Sequence, residues 1–134
     1  MIPLKTPQEI EIMRAGGRKL RQVLAKVLSV VRPGVATAQL DKIAEAEILR
    51  LGGQPSFKKV PGYSWSSCLT VNEEVVHGIP GGKKVQSGDI LGIDVGICFK
   101  GFHTDLATTI EVKSPKSKVK SQKFLEAGKR ALKK

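Results

Sequence analysis

Two aspartates interrupt the most apolar segment of the sequence, residues 88–110, which reads GDILGIDVGICFKGFHTDLATTI. This segment predicts two β-strands joined by a tight turn at Lys100-Gly101. Asp94 and Asp105 are 11 positions apart, and across such a hairpin this spacing places both side chains on the same face. As diagonal neighbours they are expected to lie about 7–8 Å apart at their Cα atoms, with the carboxylate oxygens closer.

A pair of carboxylates at this spacing needs something to offset its repulsion. Two ionised carboxylates about 5 Å apart repel by about 3 kcal/mol at an effective dielectric constant of about 20. One can stay protonated, a basic side chain can pair with both, or a metal can bind between them. A metal fits best, because aspartate oxygens suit divalent cations; the alternative is a face open to water. Gly92 and Gly96 share the face of Asp94 and are expected to leave room beside it for an ion or ligand.

The two histidines and one aromatic-rich loop are further candidates for a site. His77 lies in NEEVVHGIPGG, between a strand and a turn, where it could point into a cleft or simply lie on the surface. His103 shares the face of Asp105 and could supply a nitrogen ligand or serve as a packing residue. Residues 54–66 are rich in Pro, Gly and Ser and hold three of the six aromatic residues. Such a loop lines a binding cleft or is anchored by its own side chains.

The elements that must position these residues begin with a long helix. TPQE predicts a capping box with Thr6 as N-cap, Pro7 in the first turn and Glu9 at the third helical position. Apolar residues then recur at helical spacing. Beyond a break at RPG, Thr37 is expected to cap a second helix that ends at a glycine pair.

The remaining segments predict mainly strands. SCLTV reads as a short strand ahead of the aspartate hairpin, and a last helix is expected to begin near Ser117. The predicted order is therefore α-α-β-β-β-α, an α/β (α+β) chain with an antiparallel sheet and helices on one face.

Composition limits the classes of protein that the sequence can encode. The 134 residues are 40% hydrophobic and 26% charged, which is typical of one globular domain. No apolar run predicts a signal peptide or membrane span, and two cysteines predict neither a disulfide framework nor a zinc site. Of the net charge of +11, residues 113–134 carry +8. This basic segment is typical of a solvated helix face or a contact with an acidic partner, and less so of nucleic-acid binding.

Two blocks of the sequence resemble a known family. VNEEVVHGIP at residues 71–80 and GDILGIDVGICFKGFHTDLATTI at residues 88–110 look like type I methionine aminopeptidase, and the spacing between the blocks also fits. IEIMRAGGRKL and PGVATAQLD agree with the same family. The resemblance implies the pita-bread fold and removal of the initiator methionine from new chains by a pair of divalent metal ions, whether cobalt, manganese, iron or zinc.

The resemblance also implies roles for individual residues. Asp94 resembles the first metal ligand of the family, and Asp105 resembles the aspartate that bridges both metals. His77 resembles the catalytic histidine that hydrogen-bonds the substrate near the scissile bond. Tyr63 and Cys68 resemble residues that line the pocket for the methionine side chain. His103 matches a position that is not a ligand in the family, and it is therefore removed from the predicted metal site.

The sequence departs from the family in one respect. The resemblance implies five metal-binding side chains, and the other histidine and two glutamates of the family belong to a second half that has no counterpart here. Residues 1–134 are thus expected to be a single incomplete domain, the N-terminal half of a pita-bread domain, with residues 113–134 as a basic helix that opens the second half. A truncated and inactive fragment is the expected consequence.

The resemblance implies partners and a location as well. Nascent polypeptide N-termini are the expected substrate, with a transient ribosome contact, no membrane or DNA, and a cytoplasmic location. Two alternatives stay open: a non-catalytic pita-bread module that binds RNA or the ribosome through the basic C-terminal segment, and a half-domain that pairs with itself in a two-fold dimer.

Overall fold

The computed structural model describes residues 3–113 and 122–133. It contains three α-helices and four β-strands among those residues, with a short 3-10 turn at Phe57–Lys59. The helices are α1 (Pro7–Leu28), α2 (Thr37–Arg50) and α3 (Gln122–Ala131). The strands are β1 (Gln54–Pro55), β2 (Ser67–Val71), β3 (Ile90–Phe99) and β4 (Phe102–Glu111). No helix in these residues is long and apolar enough to cross a membrane.

Helix α1 begins at the predicted capping box. The Thr6 hydroxyl accepts a hydrogen bond from the Glu9 amide at 3.3 Å, and the Glu9 carboxylate accepts one from the Thr6 amide at 2.7 Å. Pro7 occupies the first turn, where its missing N–H leaves no helical bond unmade. The prediction for this helix start is therefore confirmed.

The prediction that Thr37 caps α2 was wrong by one residue. Ala36 is the N-cap, and its amide donates to the Gln39 side chain at 2.9 Å. Thr37 is buried, and its hydroxyl instead donates to the Gly81 carbonyl at 3.1 Å and accepts from the Gly81 amide at 2.9 Å. The hydroxyl thus anchors the connection before β3, a long-range contact that local sequence signals do not encode. The helix ends as predicted, because Gly52 adopts a left-handed conformation with φ of 75°.

Strand β3 is the centre of an antiparallel sheet. One of its edges pairs with β4 along its whole length, and the other pairs with β2 and then with β1. The two-residue strand β1 was not predicted: residues 54–66 read as a loop throughout. Pro55 argues against a strand in the sequence, because proline is rare in strands except at the edge of a sheet. The structure places β1 at such an edge.

The two faces of the sheet have opposite roles. Alternate residues of β2 and β3 point toward α1 and α2 and form the core, which includes Leu69, Leu91, Ile93, Val95 and Ile97. The prediction of helices on one face holds for α1 and α2, whose apolar residues belong to the same buried cluster. It does not hold for α3, which lines a cavity with residues of the other face. The other face carries both aspartates. Side chains of α3 and of that face line a cavity of about 700 Å³.

One prediction falls outside the described residues. Ser117, where the last helix was expected to begin, is not described, and α3 is described from Gln122 onward. The domain assignment, with a basic helix over residues 113–134, stays a prediction.

Candidate active site

The β3–β4 hairpin fixes the relation between the two predicted metal ligands. Phe99 pairs with Phe102, so Lys100 and Gly101 form the two-residue turn that the sequence predicted. Their φ angles of 48° and 84° are those of a type I′ turn, whose twist suits a hairpin. Continuing this register, Asp94 pairs with Ala107 and Asp105 pairs with Gly96. The carboxylates are therefore diagonal neighbours on one face, as predicted.

The two carboxyl groups are electrostatically unfavourable together. Burial, a hydrogen bond with Asp105 and the charge of Asp105 raise the pKa of Asp94 to about 6, and the charge of His77 opposes this rise. Within residues 3–113 and 122–133, no ion pair joins either carboxylate to a lysine or arginine. Pairing with a basic side chain therefore does not offset the repulsion between these carboxylates. Protonation of Asp94 does not offset it fully either, because less than half of this group is protonated above pH 6. A bound cation would relieve the remaining repulsion.

A single cavity brings together all five residues that the resemblance singled out. Its volume is about 300 Å³. The lining consists of Phe57, Val60, Tyr63, Cys68, His77, Asp94 and Asp105. Cys68 lies directly opposite Asp94 across the β2–β3 pair, which places the thiol beside the carboxylates. The lining therefore combines two carboxylates with aromatic, aliphatic and sulfur-containing side chains.

His77 reaches the cavity from an exposed and conformationally unusual position. Its φ of 54° lies in the left-handed region, which is uncommon for residues other than glycine and is often found at functional sites. The next residue holds the segment in place, because the Gly78 carbonyl accepts a hydrogen bond from the Leu69 amide at 2.8 Å. A Cβ at Gly78 would lie 2.2 Å from the Leu69 carbonyl oxygen, so only glycine permits this approach.

Tyr63 and Cys68 form a connected wall of the cavity. The Tyr63 hydroxyl donates to the Ser67 carbonyl at 2.8 Å and lies 3.1 Å from the Cys68 sulfur. Burial raises the pKa of both groups, so the thiol and the phenol stay neutral near pH 7. The Tyr63 ring packs edge-on against Phe57 and Trp65 at centroid distances of 6.4 and 5.4 Å. A neutral thiol within an aromatic wall is a suitable contact for an apolar or thioether group.

A buried carboxylate fixes the start of β2 and hence the position of Cys68. Asp41 of α2 accepts hydrogen bonds from the Ser66 amide, the Ser67 amide and the Ser67 hydroxyl at 2.7–2.9 Å. Its side chain therefore ties α2 to the first residue of the strand. No sequence signal pointed to Asp41, because its partners lie 25 and 26 positions away.

The prediction that Gly92 and Gly96 leave open space beside Asp94 was wrong. A Cβ at Gly92 would lie 2.3 Å from the Thr70 hydroxyl oxygen. A Cβ at Gly96 would lie 2.7 Å from the Phe57 ring and 2.8 Å from the Ser56 Cβ. Neighbouring side chains thus occupy the space that a side chain at position 92 or 96 would fill. The glycines permit close packing over β3, and neither lines the cavity that holds the aspartates, although Gly92 lines the larger cavity.

Two cavity residues, Phe57 and Val60, were not predicted as site residues. The only signal for both was their membership of the aromatic-rich loop at residues 54–66, which was expected to line a cleft or to be anchored by its own side chains. His103 does not line the cavity: its Nδ1 atom lies 2.6 Å from the Ser56 hydroxyl oxygen. Its removal from the predicted metal site agrees with this position.

The described residues offer a limited set of metal donors. They contain no group of three or more His, Cys, Asp and Glu side chains arranged to hold a metal ion. The donors that fit a divalent cation are the crowded oxygens of Asp94 and Asp105, which suit a hard or borderline ion. Two carboxylates alone are expected to bind such an ion weakly.

Comparison with known proteins identifies the family. Residues 11–134 match the metallopeptidase family M24. Methionine aminopeptidase of Clostridium perfringens is 46% identical over 112 residues, which cover 84% of this chain and 45% of that protein. Methionine aminopeptidase 1 of Bacillus subtilis is 45% identical over 112 residues, with the same coverage. The chain thus spans about half the length of the curated relatives it matches.

The fold agrees with this assignment. The crystal structure of methionine aminopeptidase from Thermotoga maritima superimposes with a TM-score of 0.90 at 34% identity. The superposition covers 99% of this chain and 53% of the other. The predicted pita-bread fold and the resemblance drawn from the two sequence blocks are both confirmed. The chain belongs to the metallopeptidase family M24.

Proposed function

We propose that this chain provides part of the active site of a methionyl aminopeptidase, a metal-dependent hydrolase that removes the initiator methionine from nascent proteins. The observation that carries the proposal is the cavity in which Asp94, Asp105 and His77 meet Tyr63 and Cys68. The named relatives, all methionine aminopeptidases, support it. Nascent N-termini are the proposed substrate, and the cytoplasm is the proposed location.

Asp94 and Asp105 are the proposed metal ligands. A cation there would offset the burial of Asp94 and its repulsion by Asp105, which together with their hydrogen bond raise the pKa of Asp94 to about 6. Two divalent ions, whether cobalt, manganese, iron or zinc, are the proposed cofactors. When bound, they would supply Lewis-acid polarisation of the scissile carbonyl and activation of a water for hydrolysis.

The other cavity residues are proposed to recognise the substrate. Phe57, Val60 and Tyr63 form apolar walls, and Cys68 adds a polarisable sulfur next to the expected thioether. The cavity of about 300 Å³ is at the small end of ligand pockets, which suits one amino-acid side chain. His77 shares the cavity with both aspartates, and its ring could donate a hydrogen bond there to the substrate near the scissile bond.

We expect little turnover from these residues alone. Two carboxylates hold a divalent ion weakly, and the described residues offer no third donor in a metal-binding arrangement. Release of methionine from a Met-Ala-Ser peptide with added cobalt or manganese should therefore be negligible. Clear turnover that Asp105→Asn abolishes would overturn this expectation, because it would show that copies of the chain complete the site.

Binding at the cavity is the direct test of the proposal. Manganese added to the isotopically labelled chain should broaden the amide resonances of His77, Asp94 and Asp105, and Asp105→Asn should weaken this effect. Glu73→Gln, which removes an exposed carboxylate outside the cavity, is the matched control and should bind like the unaltered chain. With zinc, a diamagnetic ion, in place of manganese, methioninamide should shift the Tyr63 and Cys68 resonances at lower concentration than alaninamide does. Manganese broadening centred on another part of the chain, or equal response to both amides, would refute the proposal.

The alternative of a module that binds RNA or the ribosome has less support. It depends on residues 113–134, part of which lies outside the described residues, and the named relatives are aminopeptidases. A transient ribosome contact remains compatible with the proposed substrate. RNA affinity that falls with salt and depends on the basic segment would favour the alternative.

A further inference from the structure

A hydrogen bond between Ser56 and His103 crosses the central strand of the sheet. The Ser56 Oγ and His103 Nδ1 atoms are 2.6 Å apart, although the residues are 47 positions apart in sequence. Ser56 follows β1 on one edge of β3, and His103 lies in β4 on the other edge. The bond therefore links the two flanking strands above β3.

Gly96 makes this crossing sterically feasible. It lies in β3 directly opposite Asp105, and a Cβ there would lie 2.8 Å from the Ser56 Cβ. The Ser56 amide also donates to the Gly96 carbonyl at 3.0 Å, so its backbone follows the β3 edge. Any larger residue at position 96 would occupy the space through which the serine side chain passes.

Phe57, the next residue, lies over the same glycine. Its Cε1 atom is 2.7 Å from the place of a Gly96 Cβ, and its ring lines the cavity with both aspartates. On its other side, the Lys58 ammonium pairs with Glu45 of α2 at 2.6 Å. The residues on either side of Phe57 are thus both anchored: Ser56 contacts β4, and Lys58 contacts α2. The contact to β4 is the one that lies on the face of the cavity.

We infer that Ser56 and His103 are positioning residues that hold the Phe57 ring against Gly96 as a wall of the substrate cavity. That the cavity binds a methionine side chain rests on the proposed function. The position of the Phe57 ring is independent of it. A hydrogen bond of this kind makes a small net contribution, because solvent competes with an exposed one. Its loss should release the ring for part of the time and weaken methionine binding by about threefold.

Nuclear Overhauser effects between the Phe57 ring protons and the Gly96 Hα protons test the ring position without any ligand. They should be strong in the unaltered chain and weak in Ser56→Ala and in His103→Ala. His103→Asn should restore them, because the asparagine amide reaches the place of Nδ1. Ser29→Ala is the matched control, since it removes a serine hydrogen bond of 2.7 Å to the Lys26 carbonyl, remote from the cavity. The double variant should weaken the signals no further than either single change.

Methioninamide titration in the presence of zinc then tests the consequence. Ser56→Ala should raise the dissociation constant about threefold while manganese broadening at Asp94 stays within twofold of the unaltered chain. Retention of the Phe57–Gly96 signals in Ser56→Ala would overturn the inference, whatever the chain binds. Loss of these signals in a chain that never binds methioninamide would support the positioning role and refute the proposed function instead.

Discussion

Asp94 and Asp105 are diagonal neighbours, since Asp94 pairs with Ala107 while Asp105 pairs with Gly96. Their carboxyl groups share one face, and burial, together with the hydrogen bond and the charge of Asp105, raises the pKa of Asp94 to about 6. Folding therefore brings two like charges together without a lysine or arginine paired to them in the described part of the chain. An arrangement that costs stability in this way is often retained for binding or catalysis.

Asp94→Asn should stabilise the metal-free chain at pH 8. The folded state raises the pKa of Asp94 from 3.8 to about 6, so this group's contribution to stability falls as pH rises from about 4 to about 6 and does not return above that range. Asparagine removes the penalty. We expect a gain of about 1 kcal/mol, less than the full shift implies because the side chain is half exposed. Urea unfolding at pH 8 and pH 5 measures it.

Two comparisons make this prediction specific. The gain should shrink toward pH 4, and added manganese should stabilise the unaltered chain more than the variant. Asp89→Asn is a control that should lower stability instead. Asp89 accepts hydrogen bonds from the Gln86 amide and the Asn72 side chain, and the substitution weakens them. A variant at position 94 that is less stable than the unaltered chain at pH 8 would contradict the account of charge repulsion.

Asp41→Ala should destabilise the chain by about 2 kcal/mol. The carboxylate is buried and accepts three hydrogen bonds from Ser66 and Ser67 at one oxygen, and alanine would leave those donors without their acceptor. Urea unfolding followed by circular dichroism measures the loss. Lys42→Ala, at an exposed neighbouring position on α2, should change stability by less than about 0.5 kcal/mol. Equal stability of the two variants would show that Asp41 does not anchor β2.

The hairpin could be predicted from sequence because two local rules determine it. A two-residue turn fixes the register, and the alternation of side chains along a strand then fixes the face on which each residue lies. The shared face of Asp94 and Asp105 followed from these rules alone. The roles of the site residues came only from resemblance, since spacing does not distinguish a metal ligand from a solvated acid.

Features that depend on distant partners could not be predicted. Thr37 is a favourable helix cap by type, yet its hydroxyl bonds Gly81 because the chain returns there. Gly96 suggested open space, yet the Phe57 ring lies over it from a loop 39 positions earlier. In both cases the local signal identified a residue with a special role and misidentified its partner. Only tertiary packing decides which group fills the available space.

Gly78→Ala should displace His77 from the cavity and lower stability by about 2 kcal/mol or more. An added Cβ would lie 2.2 Å from the Leu69 carbonyl oxygen, a backbone atom that cannot move without disturbing β2. The bond from the Leu69 amide to the Gly78 carbonyl should lengthen or break. Amide hydrogen exchange at Leu69 reports on that bond directly. Gly82→Ala, at a position with open space around it, should leave both stability and exchange at Leu69 unchanged.

The Cys68 thiol should ionise at a higher pH than an ordinary cysteine. Burial is the main cause of its raised pKa, and the negative charges of Asp94 and Asp105 add to it, while the hydrogen bond with Tyr63 acts in the opposite direction. The rate of alkylation by iodoacetamide, followed across pH at this residue by peptide mass spectrometry, gives the pKa as an inflection that is independent of access. Asp94→Asn should move that inflection to lower pH, because it removes a nearby negative charge without exposing the thiol. Glu73→Gln should leave the inflection in place, since this carboxylate is outside the cavity. An inflection that does not move in Asp94→Asn would mean that the thiol and the carboxylate are too far apart to interact, and the cavity would then not be the shared site proposed for them.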